Sequence, residues 1–190
     1  MEKKFDPKHA EKLKNPARLK HENPDFIWEK LGLDRPTCVV DAGCGLGFSA
    51  IPFAKKMPDG VVYACDISRE MLDALSEEIK SMGINNVRPL LMGEVKIPLN
   101  DGCADALIMQ NLHHELDAAV ENLKECARVL RNGGRISIID WKKKPSEFGP
   151  PLELRVSEKK IGSDLREAGF TQIVSLGGLP HHSFLTACKP

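Results

Sequence analysis

The stretch Val39-Val40-Asp41-Ala42-Gly43-Cys44-Gly45-Leu46-Gly47 decides the fold predicted for this chain of 190 residues. A short apolar run leads directly into three glycines at alternate positions, a pattern typical of a buried strand that turns into a helix. Glycines at such a turn let backbone N–H groups and the start of the helix approach a ligand closely. The sequence therefore predicts a nucleotide-like ligand at the end of the first strand.

Beyond this stretch, short apolar runs alternate with longer segments of helical spacing, which predicts βα units and a mainly parallel sheet. Strands are predicted at residues 38–41, 61–65, 87–91, 105–109 and 135–141. Helices are predicted at 68–82, with Ser68 as N-cap and Gly83 as the stop, at about 116–130, stopping at Asn132-Gly133, and from about Ser157 to Gly169. One or two further short helices are expected within the first thirty or so residues.

Two more predicted strands, 171–176 and 183–189, are joined by a connection too short for a crossover helix. They should therefore pair antiparallel and place one reversed strand in the sheet. The fold class is α/β, with a doubly wound sheet of seven strands that is mostly parallel and has one antiparallel C-terminal strand.

Composition limits the classes of partner. Lys plus Arg and Asp plus Glu both number 27, so the formal charge is zero and gives no reason to expect nucleic acid. No apolar segment indicates a signal peptide or a membrane span. The six cysteines are scattered, which favours reduced thiols over a disulfide framework. We expect a cytoplasmic protein, either a monomer or a homodimer.

The spacing of the glycines indicates which nucleotide is bound. The dinucleotide pattern GxGxxG, counted from Gly43, would need a third glycine where Phe48 stands. Asp41, just before the loop, suits a ligand that carries an ammonium group. Asp66 closes the second strand, where an acidic residue can reach the hydroxyls of a ribose. Asp66 could equally be a helix-capping carboxylate, and Glu94 a solvated loop charge.

Three segments, VVDAGCGLG at 39–47, VVYACDIS at 61–68 and LRNGGRISIID at 130–140, resemble the motifs of class I S-adenosylmethionine-dependent methyltransferases in order and separation. The resemblance covers about 36–190 and is to the branch of ubiquinone- and menaquinone-biosynthesis C-methyltransferases. It implies a Rossmann-like fold, S-adenosylmethionine as donor, S-adenosylhomocysteine as product and a small-molecule acceptor. The whole of 1–190 would be a single methyltransferase domain, with 1–34 as an N-terminal helical cap segment and 36–190 as the cofactor-binding core.

The same resemblance implies the site residues. The three glycines would line the methionine and sugar, Asp41 would lie near the amino group, Asp66 at the ribose, Ile67 and Met71 on the adenine, and Glu94 beside the adenine amino group. The segment from Gln110 to His114 would cover the methyl donor and face the acceptor. The complete cofactor set is Asp41, Gly43, Cys44, Gly45, Gly47, Asp66, Ile67, Met71, Glu94, Val95, Gln110 and Asn111. Much of the segment that larger members insert before the last helix is missing here, which argues against a long polyprenyl acceptor.

Methyl transfer from a sulfonium is an in-line displacement that depends mainly on positioning. A base helps if the acceptor atom carries a proton, and His113 and His114 are the catalytic candidates, although either could simply shape the pocket. No metal is expected, because His113, His114, Glu115, His181 and His182 do not have the spacing of a metal motif. No three cysteines are placed together for a metalloid acceptor. The aromatic residues Phe5, Phe26, Trp28, Trp141 and Phe148 could build a lid over the acceptor or could be ordinary packing.

Two alternatives remain open from the sequence. One is a nicotinamide-dependent oxidoreductase, which Phe48 and the terminal strand pair oppose. The other is a protein that binds S-adenosylmethionine or S-adenosylhomocysteine without catalysing a reaction.

Overall fold

A seven-stranded sheet forms the centre of the computed structural model, which describes residues 15–147 and 149–190. The strands are β1 (Cys38–Ala42), β2 (Val61–Asp66), β3 (Val87–Leu91), β4 (Ala104–Gln110), β5 (Leu130–Trp141), β6 (Thr171–Leu176) and β7 (His182–Cys188). Their order is β3-β2-β1-β4-β5-β7-β6. Neighbours from β3 to β5 are parallel, whereas β7 is antiparallel to both β5 and β6. The predicted doubly wound sheet with one reversed strand is confirmed.

Helices cover both faces of the sheet. They are α1 (Pro24–Leu31), α2 (Ala50–Lys56), α3 (Arg69–Ser81), α4 (Ala119–Val129) and α5 (Glu158–Glu167), with short 3-10 helices at Pro16–Lys20 and His113–Glu115. One apolar cluster joins α1, α2 and α3 to one face, and a second joins α4 and α5 to the other. Burial of apolar surface in these two layers is the main force holding the helices to the sheet. None of the described helices is long and apolar enough to cross a membrane.

The predicted N-cap serines and terminal glycines lie at the two ends of α3 and of α5 in the structure. The Ser68 side chain accepts a hydrogen bond from the Met71 N–H, and the Ser157 side chain accepts one from the Lys160 N–H. Gly83 and Gly169 follow their helices with φ of 66° and 93°, the left-handed conformation that glycine adopts without strain. Both helices therefore begin at the predicted caps and end just before the predicted glycines.

The boundary between α4 and β5 differs from the prediction. The helix starts at Ala119, later than expected, and β5 begins immediately after it at Leu130 rather than at residue 135. Leu130 is fully buried and pairs with Ala104, and the register then shifts before Arg135 pairs with Ala106. Asn132-Gly133 thus lies within an irregularity of β5 and does not end a helix.

The link between β3 and β4, residues 92–103, contains no helix, although the βα pattern predicts one after most strands. Side chains of α4 hold it instead. Arg128 donates from Nη1 to the Leu99 carbonyl at 2.8 Å and from Nη2 to the Ile97 carbonyl at 2.9 Å, and Glu125 accepts from the Ile97 N–H. The pKa of Glu125 is lowered to about 2, mainly because its carboxylate accepts hydrogen bonds from Arg128.

The topology brings the candidate residues to one edge of the sheet. The carboxyl ends of β1, β2, β4 and β5 meet there, and because β7 is reversed, its first residue His182 joins them by pairing with Trp141. The chain leaves β1 toward β2 and β3 on one side and returns to β4 and β5 on the other. Ligands of open α/β sheets bind at such a switch point.

Candidate functional site

The glycine loop between β1 and α2 requires glycine for two reasons. Gly43, Gly45 and Gly47 have φ of 74°, 51° and 81°. A Cβ on Gly43 would come within 2.9 Å of Leu112 Cδ2, and one on Gly47 within 2.5 Å of Leu75 Cδ1. Any side chain at 43 or 47 would therefore be strained and would displace a neighbour.

The Asp66 carboxylate connects this loop to the end of β2. Its Oδ2 accepts from the Gly45 N–H at 2.8 Å, and its Oδ1 accepts from the Ser68 N–H at 2.9 Å. Asp66 thus joins the glycine loop to Ser68, the N-cap residue of α3. Each carboxylate oxygen has a second lone-pair site, so these bonds leave room for ligand hydroxyls. The ribose role stays a prediction.

Asp41 is a buried carboxylate beside the loop. It is 2% exposed, and its Oδ2 has no hydrogen-bond partner among the described residues. Burial raises the pKa of Asp41 to about 7, and the nearby Asp66 carboxylate acts in the same direction, against an opposing hydrogen bond from the Ala50 N–H. A buried carboxylate oxygen without a partner is costly, and a cationic ligand group would relieve that cost.

Replacing Asp41 with asparagine should stabilise the protein at high pH. The folded-state pKa of about 7 lies above the ordinary value of 3.8, so the folded protein binds more protons than the unfolded one between these values. Stability is therefore lost as pH rises through that window, and Asp41→Asn removes the loss. We expect a gain of roughly 2–4 kcal/mol at pH 8 and little change at pH 4, measured by urea unfolding. The exposed Asp73→Asn is the control, and parallel pH curves for Asp41→Asn and the wild type would contradict the assignment.

The residues predicted for the adenine differ in exposure. Ile67 and Val95 are exposed apolar side chains, at 43% and 39%, near the ends of β2 and β3, and Glu94 is exposed beside Val95. Met71 is buried at 4%. Cys44 belongs to the core cluster, and burial raises the pKa of its thiol well above the ordinary value. Cys44 thus has the packing role expected of most buried cysteines.

Glu22 is a site residue that the sequence did not indicate. It lies just before α1, is 2% exposed, and accepts from Gln110 Nε2 at 2.8 Å, Asn111 Nδ2 at 2.7 Å and Arg18 Nε at 2.6 Å. Burial alone would raise the pKa of Glu22, but Arg18, His182 and Gln110 lower it on balance. The carboxylate is thus ionised at neutral pH and ties the N-terminal segment to the end of β4.

The neighbours of Glu22 extend this network toward the glycine loop. The Ser49 hydroxyl donates to Gln110 Oε1, and the Arg18 guanidinium lies 3.8 Å from the centre of the Phe48 ring. Phe48, which breaks the dinucleotide pattern, is therefore covered by a cation. Asn111 has φ of 58°, a left-handed conformation that asparagine tolerates better than most residues.

The two catalytic candidates have different partners. His114 Nδ1 lies 2.8 Å from Asp140 Oδ1, and the His114 N–H donates to Asp140 Oδ2 at 2.9 Å. Asp140 is fully buried at the end of β5. This pair fixes the imidazole, and with Nδ1 donating, Nε2 carries the lone pair that could accept a proton. His113 Nε2 instead lies 3.2 Å from Asp164 Oδ2 in α5, and burial lowers its pKa, so His113 links β4 to a helix.

The other histidines considered for a metal are also separated by their contacts. The His181 ring stacks edge-on against His21 at 4.8 Å, and the His182 ring lies 4.2 Å from the Trp141 ring. Within 15–147 and 149–190, no three His, Cys, Asp or Glu residues are grouped to hold a metal ion.

The candidate lid aromatics that the structure describes are packed. Trp28 contacts Phe53 of α2 at 5.0 Å between ring centres. Phe26 lies against Gly178, where a Cβ would approach its ring to 2.4 Å, and a Cβ on Gly149 would approach the Trp141 ring to 2.5 Å. These contacts favour the packing interpretation. Phe5 and Phe148 lie outside the described residues.

Comparisons with known proteins agree with this geometry. A family model described as a methyltransferase domain matches residues 39–134. The crystal structure of a SAM dependent methyltransferase from Aquifex aeolicus is 34% identical with a TM-score of 0.92, over 98% of this chain and 100% of that one. Methyltransferase GfsG of Streptomyces halstedii is 30% identical over 60% of this chain and 41% of its own length. Demethylmenaquinone methyltransferase of Geobacillus kaustophilus is 25% identical over 65% and 53%. The chain thus spans about half or less of these two curated relatives.

Proposed function

The chain belongs to the class I S-adenosylmethionine-dependent methyltransferase family, and on that premise we propose that it transfers a methyl group from S-adenosylmethionine to a small-molecule acceptor. The observation that carries the proposal is the buried Asp41, whose Oδ2 has no partner among the described residues, directly before the glycine loop. S-adenosylmethionine offers an ammonium group joined to a nucleoside. Asp41 would bind the ammonium, and Asp66 the ribose hydroxyls.

In the proposed reaction, the acceptor atom attacks the sulfonium methyl group in line, so the protein must align the two and exclude water. The bond from carbon to sulfur breaks as the bond to the acceptor forms, and S-adenosylhomocysteine leaves. Where the acceptor atom carries a proton, we assign the base to His114, which Asp140 orients at 2.8 Å. His114→Gln should then slow formation of S-adenosylhomocysteine while leaving the affinity for S-adenosylmethionine unchanged.

Cofactor preference separates this proposal from an oxidoreductase. A ligand at about 100 times its dissociation constant stabilises a protein by roughly 2.7 kcal/mol, which shifts the melting temperature by about 5–10 °C for a chain of this size. We expect S-adenosylmethionine and S-adenosylhomocysteine to produce this shift and NADH to produce none. A shift with NADH alone would overturn the proposal.

Catalytic turnover separates the proposed methyltransferase from a protein that binds the cofactor without catalysing a reaction. The measurement is formation of S-adenosylhomocysteine from S-adenosylmethionine with a panel of small acceptors, followed by mass spectrometry. Tight cofactor binding with no product across the panel would favour the binder.

We further propose one cytoplasmic domain that acts without nucleic acid. All six cysteines lie in the described part of the chain and are free thiols, as in a reducing compartment, and the formal charge is zero. Light scattering on the purified protein would distinguish a monomer from a homodimer.

A further inference from the structure

Three of the buried polar atoms without hydrogen-bond partners in the described chain lie near the carboxyl ends of β4 and β5. Both ring nitrogens of His182 are in this group, as is Oδ1 of Asn111. His182 is 2% exposed and Asn111 is partly buried. Buried polar groups are normally hydrogen-bonded, so these atoms indicate an unidentified polar partner.

Glu22 brings these two residues together. Its Oε2 accepts from Asn111 Nδ2 at 2.7 Å and lies 3.8 Å from His182 Nε2. The same oxygen also accepts from Gln110 Nε2 at 2.8 Å, so the Asn111 amide and the His182 imidazole lie beside a carboxylate oxygen that already has two hydrogen bonds. None of these residues belongs to the glycine loop, and His182 lies at the reversed strand, beyond β4 and β5 from β1.

The chemistry of this group defines its complement. Glu22 Oε2 already accepts from Gln110 and Asn111, so the atoms that can bind a ligand are the Asn111 Oδ1 carbonyl oxygen, which only accepts, and the two His182 ring nitrogens. Burial, above all, lowers the pKa of His182 to about 4, so at neutral pH its ring has one N–H donor and one acceptor nitrogen. A ligand group that both donates and accepts matches this set. A hydroxyl does so without introducing a charge.

We propose that His182 and Asn111, both beside Glu22, bind a hydroxyl group of the methyl acceptor, so that the acceptor class is a neutral, hydroxyl-bearing small molecule. This inference rests on the proposed function, since it concerns the acceptor half of the same site. The Trp141 ring contacts the His182 imidazole, with 4.2 Å between the ring centres, and also packs against Gly149.

Fragment binding tests the proposal without knowledge of the natural acceptor. Protein labelled with ¹⁵N-histidine is saturated with S-adenosylhomocysteine and titrated with phenol and with cyclohexanol, and toluene serves as the matched probe without a hydroxyl. We expect at least one hydroxyl probe to shift the His182 ring nitrogens saturably with a dissociation constant of roughly millimolar order. Toluene should bind at least tenfold more weakly.

Two variants at His182 test whether the hydroxyl probe binds through the ring nitrogens or only through the shape of the ring. His182→Phe keeps a planar ring but removes both nitrogens, and should weaken binding of the hydroxyl probe at least tenfold. Because both variants lack the His182 signal, their affinities and that of the wild type are compared by NMR that observes the probe. His182→Gln retains one donor and one acceptor, and should stay within about threefold of the wild type. Both should bind S-adenosylhomocysteine as the wild type does, which also shows that they are folded.

Three results would overturn the inference: no saturable binding of either hydroxyl probe, equal binding of toluene, or unchanged binding in His182→Phe. Failure of S-adenosylhomocysteine to bind the wild-type protein would instead overturn the proposed function. The two failures are therefore distinguishable in one titration series.

Discussion

Replacing Gly43 with alanine is expected to weaken S-adenosylmethionine binding roughly 30-fold or more. A non-glycine residue in the left-handed region costs about 1–2 kcal/mol, and here φ is 74°. The added Cβ would also meet three atoms of Leu112 at 2.9–3.2 Å, so the loop or the segment after β4 must shift. Binding would have to restore the original loop, and a cost of about 2 kcal/mol corresponds to the stated loss of affinity.

Gly83→Ala is the matched control for this experiment. Gly83 has φ of 66°, so alanine there carries a comparable backbone cost, yet no atom lies within 4 Å of the position where its Cβ would be. It follows α3 near the amino edge of the sheet, away from the glycine loop. We expect Gly83→Ala to lower the free energy of unfolding by about 1 kcal/mol and to leave affinity within twofold, as measured by calorimetry. Normal cofactor binding by Gly43→Ala would show that the loop does not hold the ligand.

The glycine loop and the sheet were predictable because their signals are local. A strand, a left-handed glycine and a serine cap each impose their conformation within a few residues, as at Ser68 and Gly83. The reversed strand β7 also followed from local information, since a short connection cannot contain a crossover helix. Connection length and turn chemistry therefore sufficed to predict a mostly parallel sheet with one reversed strand.

Features that depend on distant partners were missed. Arg18 and Glu22 stand four residues apart in a charged segment, a pattern typical of a solvated helix face. Glu22 is buried only because Gln110 and Asn111 donate to it from 88 and 89 residues away. The early start of β5 likewise depends on pairing between Leu130 and Ala104 across the sheet. Neither the composition nor the residue spacing around Glu22 and Leu130 indicates these long-range contacts.

The roles of the two histidines were left open for the same reason. His113 and His114 are adjacent and chemically identical, so residue type alone cannot separate a base from a structural residue. Asp140 and Asp164 separate them, one at the end of β5 and the other in α5. A general base is defined by geometry before residue type.

Asp66→Ala should cause the largest loss of cofactor affinity, about 100-fold or more. Hydrogen bonds to a charged group contribute about 1.5–3 kcal/mol each, and two ribose hydroxyls would lose such a partner. The variant also removes the acceptor for the Gly45 and Ser68 N–H groups, so a purely structural explanation must be separated. Asp105→Ala is the matched control, because Asp105 Oδ2 accepts from the Thr37 and Cys38 N–H groups at 2.7 and 2.9 Å at the opposite edge of the sheet.

A nucleoside pair decides between the capping role and the ribose role of Asp66. Wild-type protein should bind adenosine at least tenfold more tightly than 2′,3′-dideoxyadenosine, because only adenosine offers the 2′- and 3′-hydroxyls to the carboxylate. In Asp66→Ala this preference should disappear, whereas Asp105→Ala should keep it despite lower stability. If Asp66→Ala weakened both nucleosides equally and preserved their ratio, the carboxylate would act only on the backbone, and the ribose would have to be recognised elsewhere.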